Sequence, residues 1–371
     1  MRPVRARKGS STIRKRKAKV NIVELTAPRH ELRGKREMVR CGAVRIPFDI
    51  PGAGSRPFDV VGFGLNSVDL IAVVSEHPAR NTKQRLRRFA RQPGGQIATA
   101  LVACRKLGWS ARYIGSFGAD EFGTVSRKSL AAEGVDLAAA RIVAGAANQF
   151  AVILVDSSSG ERTVLWDRDP ALTMEPEDVP PEAVTSGRMV IVDCHETAAA
   201  AQAAWYARQS GIPTVIDVEK VRPGVAELLQ QIDAILAAQD VPSALTGHRS
   251  IGRALEEMAR EFKAPVVCAT LGAEGSLARC GGREIRTPAF SIDCVDSTGA
   301  GDAFRGGFVA GCLRAPDGDL EDVLSYANAV AALNCRALGA RGGLPGPGEV
   351  EQLLGAGLRL RPPRDLEQPE P

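Results

Sequence analysis

The chain has 371 residues, of which 44% are hydrophobic and 25% are charged. This length and balance exclude a wholly disordered or fibrous protein and allow one large globular domain or two smaller ones. The net charge of +5 is concentrated near the amino end, because the first 58 residues hold 16 of the 48 Lys and Arg residues but only 4 of the 43 Asp and Glu residues. The basic character therefore belongs to this segment and not to the rest of the chain.

Residues 1–57 are predicted to form a basic, disordered N-terminal extension, because they show no sustained apolar period and contain the block Arg14–Lys17. A nucleic-acid-binding arm, a transit peptide and a true start near Met38 are the alternatives. Acidic residues interrupt the basic runs, which argues against a transit peptide. Basic runs are common in proteins, so this segment alone does not make nucleic acid an expected partner.

No stretch reaches the roughly eighteen consecutive apolar residues of a membrane-spanning helix, and no signal peptide opens the chain. The sequence therefore predicts a cytoplasmic protein without a membrane partner. Its eight cysteines are scattered singly, which favours reduced core residues over a disulfide framework. The four histidines do not lie at metal-ligand spacing with a cysteine pair, so zinc is not expected.

From Phe58 onward, short β-branched runs alternate with longer amphipathic stretches. This alternation predicts an α/β fold with a doubly wound, mostly parallel sheet flanked by helices. The predicted elements of this core are strands at residues 59–64, 189–193, 213–217, 234–237 and 265–270 and helices at 95–107 and 121–133. Ligands bind beyond the carboxyl ends of such strands. The residues predicted to face that cleft are Asp193, His195, Asp217, Glu219 and Thr270.

Residues 150–166 interrupt the alternation. Two apolar runs, Phe150–Val155 and Thr163–Trp166, flank a turn of Ser and Gly and predict a β-hairpin. Together with residues 70–91, which lack a helix signal, the hairpin is expected to form a small separate sheet over the main one. At the other end of the chain, residues 361–371 are rich in Pro and charge and are predicted to be a loose tail.

The most informative run is Val295–Leu313, in which a turn of small residues leads directly into a helix. Gly299, Ala300 and Gly301 allow a close backbone approach and present N–H groups at the positive end of the helix dipole, which favours a bound phosphate. Asp302 then lies in the first helical turn. Because a carboxylate repels phosphate, we interpret Asp302 as a base that accepts a proton from an attacking hydroxyl. The alternative is an Asp that only complements the helix dipole.

The run Asp296-Ser-Thr-Gly-Ala-Gly-Asp302 resembles the C-terminal signature of the ribokinase-like, PfkB-type carbohydrate kinases. The resemblance covers roughly residues 58–358 and implies a ribokinase-like kinase domain at residues 58–360, with a β-sheet lid from about 67–93 and 147–168. Three further motifs match in the same order: Gly94-Gly-Gln-Ile-Ala-Thr-Ala-Leu101, Gly115-Ser-Phe-Gly-Ala-Asp-Glu-Phe-Gly123 and Thr270-Leu-Gly-Ala-Glu-Gly275.

The resemblance implies a role for each matching residue. Asp302 is expected to be the catalytic base, and the amides of Gly299, Ala300 and Gly301 the anion hole for the phosphoryl group transferred from Mg-ATP. The other implied sites are Asp69, Gly94, Gly95 and Thr99 for the sugar, Thr270, Gly272, Gly275 and Asn328 for the nucleotide, and Asp296, Thr298 and Gly339 for a monovalent cation such as K⁺. A homodimer formed through the lid is a further expectation.

Two motifs depart from the family pattern. The N-terminal motif has Thr99 where the family often has Asn, so that hydrogen bond to the substrate is altered or missing. The Asn-x-x-Glu motif, which helps to arrange magnesium in the family, falls on residues 238–241 and retains only Gln239 and Asp240 as polar residues. Magnesium is then expected to be held through water by Asp240, Asp217 or Glu219, or the metal site is weakened.

Several other residues have two possible interpretations. His195 and Glu196 either touch substrate or begin a solvent-facing helix. On the hairpin, Arg162, Trp166 and Arg168 either bind an anionic or ring-shaped substrate or serve as lid packing and solvated charge. Arg305 either steadies phosphate or is an exposed helix residue.

The function expected from these features is phosphoryl transfer from ATP to a hydroxyl of a sugar or sugar derivative. Thr99 and the run Asn334–Pro345 look more similar to kinases of sulfofructose and other ketohexoses than to adenosine kinases. A nucleoside kinase and a noncatalytic sugar or nucleotide sensor remain alternatives. A dehydrogenase is disfavoured because Gly62-Phe-Gly64 lacks the third glycine of a dinucleotide fingerprint.

Overall fold

The computed structural model describes residues 42–158 and 162–357. The predicted C-terminal tail, residues 361–371, and residues 1–41 of the predicted extension lie outside these ranges. Within them, fourteen strands and ten α-helices follow one another along the chain, and three short 3-10 helices occur at Pro170–Leu172, Pro176–Asp178 and Gly272–Glu274.

The strands are β1 (Phe58–Phe63), β2 (Ser67–Val74), β3 (Arg88–Gly94), β4 (Ala111–Ile114), β5 (Ser116–Gly118), β6 (Arg141–Val143), β7 (Phe150–Asp156), β8 (Arg162–Asp167), β9 (Gly187–Asp193), β10 (Thr214–Val218), β11 (Ala234–Ala238), β12 (Val266–Thr270), β13 (Ser276–Cys280) and β14 (Arg283–Thr287). The helices are α1 (Gln96–Lys106), α2 (Glu121–Ala132), α3 (Pro181–Val184), α4 (Thr197–Gln209), α5 (Val225–Leu229), α6 (Val241–Thr246), α7 (Ile251–Phe262), α8 (Ala300–Arg314), α9 (Leu320–Asn334) and α10 (Pro347–Ala356).

The main sheet has eight strands in the order β14-β13-β12-β11-β10-β9-β1-β4. Six neighbouring strands, from β12 to β4, run parallel, and the β13–β14 hairpin continues the sheet in antiparallel fashion. The central strands are apolar on both faces because helices cover both faces. In β9, for example, Met189 and Ile191 enter one hydrophobic core, and Val190 and Val192 enter the other. The predicted doubly wound, mostly parallel sheet is confirmed.

The chain reverses its direction of winding at β1. From β1 it passes through α1, on one face of the sheet, to β4; the helix after β9, α4, packs on the other face. The loops that follow β1 and β9 therefore diverge and leave a crevice beyond the carboxyl ends of these two strands, as is typical of open α/β sheets.

A second sheet of four strands, in the order β3-β2-β7-β8, stands apart from the main one. The predicted hairpin is confirmed, since β7 and β8 pair antiparallel from Phe150↔Asp167 to Val155↔Arg162. The segment within residues 70–91 contributes β2 and β3, and β2 pairs parallel with β7. The small sheet predicted from the sequence therefore exists.

Residues 44–50 pack against the domain although they fall within the extension predicted to be disordered. Leu320 N donates to Val44 O at 2.7 Å, Ile46 N donates to Gly318 O at 3.1 Å, and the Ile46 side chain is buried. Phe48 and Ile50 contact the core below the sheet. Apolar burial thus extends the folded domain towards the amino end beyond residue 58.

In the described ranges, no helix is long and apolar enough to cross a membrane. The cysteines of these ranges are unpaired, and all are buried except Cys294.

Candidate active site

A cleft of about 390 Å³ lies at the carboxyl ends of β1, β9, β10 and β12, and the small sheet forms one of its walls. Four of the five residues predicted to face it, His195, Asp217, Glu219 and Thr270, do so. Asp193 does not, because its side chain is fully buried and accepts hydrogen bonds from Leu65 N at 2.7 Å and His195 N at 3.0 Å. Its role is therefore to hold the loop after β1 against the end of β9.

The glycine turn before α8 opens into this cleft. Gly299 caps the helix with φ = 73°, in the left-handed region that favours glycine, and a Cβ there would lie 2.4 Å from the carbonyl oxygen of Ala340. Within the turn, Ala300 N donates to Ser297 O at 3.2 Å. The turn thus brings the positive end of a 15-residue helix to the cleft, with space on its surface for an anion.

Asp302, in the first turn of α8, also lines the cleft. Burial raises the pKa of its carboxyl well above the ordinary value, and the negative charges of Asp217, Glu219 and Asp69 act in the same direction, while Arg305 opposes them. A carboxylate in such surroundings binds a proton more readily than one in water. It is therefore suited to accept a proton from a nearby hydroxyl.

Arg305 lies one helical turn after Asp302 and is buried, so the reading of it as an exposed helix residue is wrong. Its Nε lies 2.9 Å from Asp217 Oδ1, and its Nη2 donates to Leu236 O at 3.3 Å. Burial raises the pKa of Asp217 to about 6 even though Arg305 acts to lower it. The pair fixes α8 to the end of β10 beside Asp302.

The predicted sugar-binding residues meet at the base of the small sheet. Asp69, on β2, is buried and accepts a hydrogen bond from Ser67 Oγ at 3.0 Å. A Cβ on Gly94 would lie 2.3 Å from Asp69 Oδ2, so only glycine fits there. Burial raises the pKa of Asp69 to about 6. Asp69 and Gly95 line the cleft.

Thr99 lies on α1 and is fully buried. Its Oγ1 accepts a hydrogen bond from Arg341 Nε at 3.1 Å, and the same guanidinium donates to Gly94 O at 2.6 Å and to Ser129 Oγ at 3.1 Å. Arg341 was not identified from the sequence. By bonding both Thr99 and the carbonyl of Gly94, it joins α1 to the Gly94 turn and stabilises that turn. The assignment of Thr99 as a sugar ligand stays a prediction.

The predicted nucleotide residues surround the β12–β13 turn. Thr270 lines the cleft, and Gly272 and Gly275 have φ of 58° and 93° in the turn that follows. Asn328, on α9, is buried and donates from Nδ2 to Ser276 Oγ and Thr287 O at 3.1 and 3.2 Å. In this structure Asn328 therefore supports the β13–β14 hairpin.

The residues predicted to hold a monovalent cation also lie together. Asp296 is buried and accepts hydrogen bonds from Thr298 N at 2.9 Å and Gly339 N at 2.8 Å. Two other buried oxygens, Thr298 Oγ1 in the same turn and Asn334 Oδ1 at the end of α9, have no hydrogen-bond partner among the described residues. An all-oxygen set of this kind suits a hard cation.

Of the carboxylates considered for magnesium, Asp217 already forms an ion pair with Arg305, whereas Glu219 is exposed at the cleft. Asp240 precedes α6. Across residues 42–158 and 162–357, no three His, Cys, Asp or Glu side chains are grouped so as to hold a metal ion by themselves. The protein groups present fit a metal that is bound largely through water and the nucleotide.

Of the residues with two interpretations on this side, His195, Arg162 and Trp166 line the cleft, whereas Arg168 and Glu196 lie outside it. His195 Nε2 lies 3.3 Å from Gln149 Oε1, and its ring meets Trp166 edge-on. Arg168 forms an ion pair with Glu196 in which both side chains are largely buried. Arg162 Nη1 donates to Ser297 Oγ at 2.8 Å and so joins β8 to the turn before α8.

The cleft residues that were not identified from the sequence include Gln149, Lys220 and Arg222. Each lies in a loop and belongs to no motif, so only the packing of the small sheet and of the loop after β10 reveals it.

Comparison with known proteins agrees with this geometry. A model of the pfkB family of carbohydrate kinases matches residues 58–346. The ATP-dependent ribose-1-phosphate kinase of Halopiger xanaduensis is 31% identical over 277 residues, which cover 74% of this chain and 90% of that protein. The ribokinase of Bacillus subtilis is 26% identical over 291 residues, covering 78% and 96%.

Among solved structures, the Arabidopsis thaliana ribokinase complexed with ribose and ATP has a TM-score of 0.70 at 24% identity, and the match covers 80% of this chain and 98% of that one. This likeness shows a shared ribokinase-like fold. From the family match and the relatives together, the chain belongs to the pfkB family of carbohydrate kinases and is a phosphotransferase with an alcohol group as acceptor.

Proposed function

We propose that this enzyme transfers the γ-phosphoryl group of ATP to a hydroxyl of a sugar or sugar derivative, with Asp302 as the general base. The observation that carries the proposal is the position of Asp302, in the first turn of α8 and exposed to a cleft between the sheet edge and the small sheet. The acceptor oxygen attacks the γ-phosphorus, its proton passes to the Asp302 carboxylate, and the bond between the γ-phosphorus and the bridging oxygen of ADP breaks.

The acceptor is oriented by the residues at the base of the small sheet. Asp69 is a hydrogen-bond acceptor for a sugar hydroxyl, and Gly94 and Gly95 let the sugar approach the backbone. Thr99 is an indirect contributor through Arg341. When the small sheet covers the acceptor, it excludes water that would otherwise compete for the phosphoryl group.

The donor is proposed to bind across the β12–β13 turn, with Thr270, Gly272, Gly275 and Asn328 at the nucleotide. The amides of Gly299 and Gly301 and the dipole of α8 then stabilise the charge on the transferred group, while the predicted third amide, that of Ala300, already donates to Ser297 O. A bound Mg²⁺ supplies charge neutralisation of the phosphates, and Glu219 is the cleft carboxylate that suits it through water. A monovalent cation beside Asp296, Thr298 and Gly339 would stiffen the turn before α8.

A homodimer through the small sheet is proposed from its outer face. Phe89 and Leu165 lie on the face opposite Asp69 and Trp166 and are 60% and 59% exposed. Exposed apolar side chains on one sheet face are typical of a protein contact. Light scattering after gel filtration, with Phe89→Ser and Leu165→Ser, tests this state.

The experiment that tests the function is a panel of sugars, sugar phosphates and nucleosides assayed for ADP release. With the best sugar, Asp302→Asn should lower kcat by about 10²–10⁴-fold, the range for loss of a general base. Asp293→Asn, the same change at an exposed position of the preceding loop, is the matched control. Full activity in Asp302→Asn would exclude it as the base, and turnover of nucleosides alone would make the enzyme a nucleoside kinase.

A further inference from the structure

At one corner of the cleft, two cationic side chains form no ion pair with any carboxylate of the described residues, although the charges of Arg222 and the buried Asp193 do act on each other. This corner consists of Lys220 and Arg222, in the loop after β10, and of His195, at the end of β9; we call it the cationic corner. All three line the cleft. Arg222 is half-buried, and its Nε is shielded from solvent and has no acceptor among the described residues. His195 Nδ1 is likewise buried and has no partner in this part of the chain.

The other cleft cations are already engaged. Arg305 is paired with Asp217, and Arg162 donates to Ser297 Oγ. Just outside the cleft, Arg168 is paired with Glu196. In contrast, the ion pairs found within residues 42–158 and 162–357 include neither Lys220 nor Arg222. A buried guanidinium nitrogen without an acceptor is costly, which indicates that a ligand supplies the acceptor.

The position of the cationic corner indicates whether this ligand is the acceptor or the nucleotide. In the main sheet, β10 lies next to β9, and β11 separates it from β12, where Thr270 marks the nucleotide side. The positive charge of Arg222 is among the causes, after burial and Arg168, that lower the pKa of His195 to about 4, so Arg222 and His195 are neighbours. His195 in turn contacts Gln149 and Trp166, next to and within the small sheet. The corner therefore belongs to the acceptor side of the cleft.

The side chains of the cationic corner are suited to bind an anionic oxygen group. At neutral pH, His195 is uncharged and offers one donor and one acceptor nitrogen, which suits a hydroxyl or an anionic oxygen. Arg222 presents a planar fork that binds carboxylate and phosphate groups through two parallel hydrogen bonds. Lys220 adds a flexible point charge at the rim. A neutral sugar would leave this fork without a charged partner.

From these observations we infer that the acceptor is a sugar that carries an anionic group, a carboxylate or a phosphate, and that Arg222 binds this group at the cationic corner. The inference rests on the proposed sugar kinase function and narrows its substrate class. The hydroxyl to be phosphorylated then lies at Asp302, and the anionic group lies at the end of the sugar that is remote from it.

Matched pairs of acceptors test this inference: fructose against fructose 6-phosphate, and glucose against gluconate. We expect the anionic member of at least one pair to have a kcat/KM at least 10²-fold higher than its neutral partner, and the pair that responds distinguishes phosphate from carboxylate. Arg222→Gln should lower kcat/KM for that anionic acceptor by about 10²-fold, as for loss of one member of a buried charge pair. The ratio of anionic to neutral kcat/KM should fall at least tenfold.

Two further variants separate recognition from general damage. Arg222→Lys keeps the charge but not the fork and should retain part of the preference. Arg249→Gln, which removes the same charge from an exposed position outside the cleft, should leave the preference intact. The inference is wrong if neutral acceptors are turned over as well as anionic ones. It is also wrong if Arg222→Gln lowers kcat/KM equally for both acceptors and raises the KM for ATP.

Direct binding by calorimetry distinguishes this inference from the proposed function. If gluconate or fructose 6-phosphate binds and Arg222→Gln abolishes that binding while no ADP is released, the anion site stands and the phosphoryl transfer fails. If neutral sugars are phosphorylated and neither anionic probe binds more tightly, the transfer stands and the anion site fails. If nucleosides alone bind, both are wrong.

Discussion

The guanidinium of Arg305 and the carboxylate of Asp217 form a buried ion pair, with Nε 2.9 Å from Oδ1 and each side chain only 4% exposed. The two residues come from α8 and from the end of β10, and their contact lies directly beside Asp302. The pair therefore sets both the position of the helix that bears Asp302 and the negative charge that surrounds it.

Replacing Arg305 with Met should destabilise the protein by about 3–5 kcal/mol, because Asp217 is then left buried without its counter-ion. The free energy of unfolding in urea measures this. The double variant Arg305→Met with Asp217→Asn should be more stable than Arg305→Met alone, since no charge remains unpaired. If the two variants are equally stable, the ion pair does not contribute as described.

The pH dependence of turnover follows from the raised pKa of Asp302. A base acts in its ionised form, so kcat/KM should fall as the pH falls through this pKa, at a pH well above the ordinary 3.8 of an aspartate. The measurement is a pH–rate profile at saturating ATP. In Asp302→Asn the residual rate should lose this acid limb. A wild-type rate that stays constant down to pH 4 would contradict the raised pKa.

Asp69 is expected to cost stability at neutral pH. Its pKa is about 6 in the folded protein against 3.8 ordinarily, so between these values the folded state binds more protons than the unfolded state. Stability should therefore fall as pH rises from about 4 to about 6, and this group accounts for roughly 3 kcal/mol of the fall. In Asp69→Asn that part of the pH dependence should disappear, while the sugar KM rises.

Urea unfolding at pH 4.5 and pH 7.5 measures the effect of Asp69. Asp293→Asn, at an exposed position, serves as the comparison. Identical pH dependence in wild type and Asp69→Asn would mean that Asp69 is as well solvated in the folded protein as in the unfolded one.

Gly299→Ala should abolish turnover and destabilise the protein by about 2–5 kcal/mol. Its φ of 73° costs an L-residue about 1–2 kcal/mol, and a new Cβ would meet the backbone oxygen of Ala340 at 2.4 Å, which adds the cost of overpacking. Gly247 is the matched control, because its φ of 74° is the same and a Cβ there meets nothing within 4 Å. Gly247→Ala should therefore lose only about 1–2 kcal/mol, the cost of the left-handed backbone conformation, and leave turnover intact.

Thermal unfolding and kcat of both glycine variants test this difference. Equal losses of stability and turnover in Gly299→Ala and Gly247→Ala would show that the cost comes from the backbone conformation and not from the contact with Ala340.

Much of the site is encoded in short stretches of the chain. The run before α8 combines small residues, a helix start and a carboxylate within seven positions, and each property acts over a few bonds. For the same reason, the strands and the β7–β8 hairpin follow from local patterns of apolar residues. The family motifs also lie within such short stretches.

Side-chain partners from distant segments were not predictable in this way. Thr99 pairs with Arg341, and Arg305 pairs with Asp217, at separations of many tens of residues. Residues 44–50 have a basic context that predicts disorder, yet Ile46 is buried against the turn at Gly318. Such contacts arise only when the sheet and its helices have assembled.

The sequence by itself therefore determined the α/β core, the small sheet and the glycine turn with Asp302, because these depend on local conformation and periodicity. The kinase family was indicated separately, by the resemblance of short motifs. Only the tertiary structure decided which charges neutralise one another, which carboxyls have a raised pKa, and which cations, Lys220 and Arg222, face the cleft without an ion pair to another described residue. The physical reason is that burial and electrostatic interaction depend on distances in space, which the order of residues along the chain does not specify.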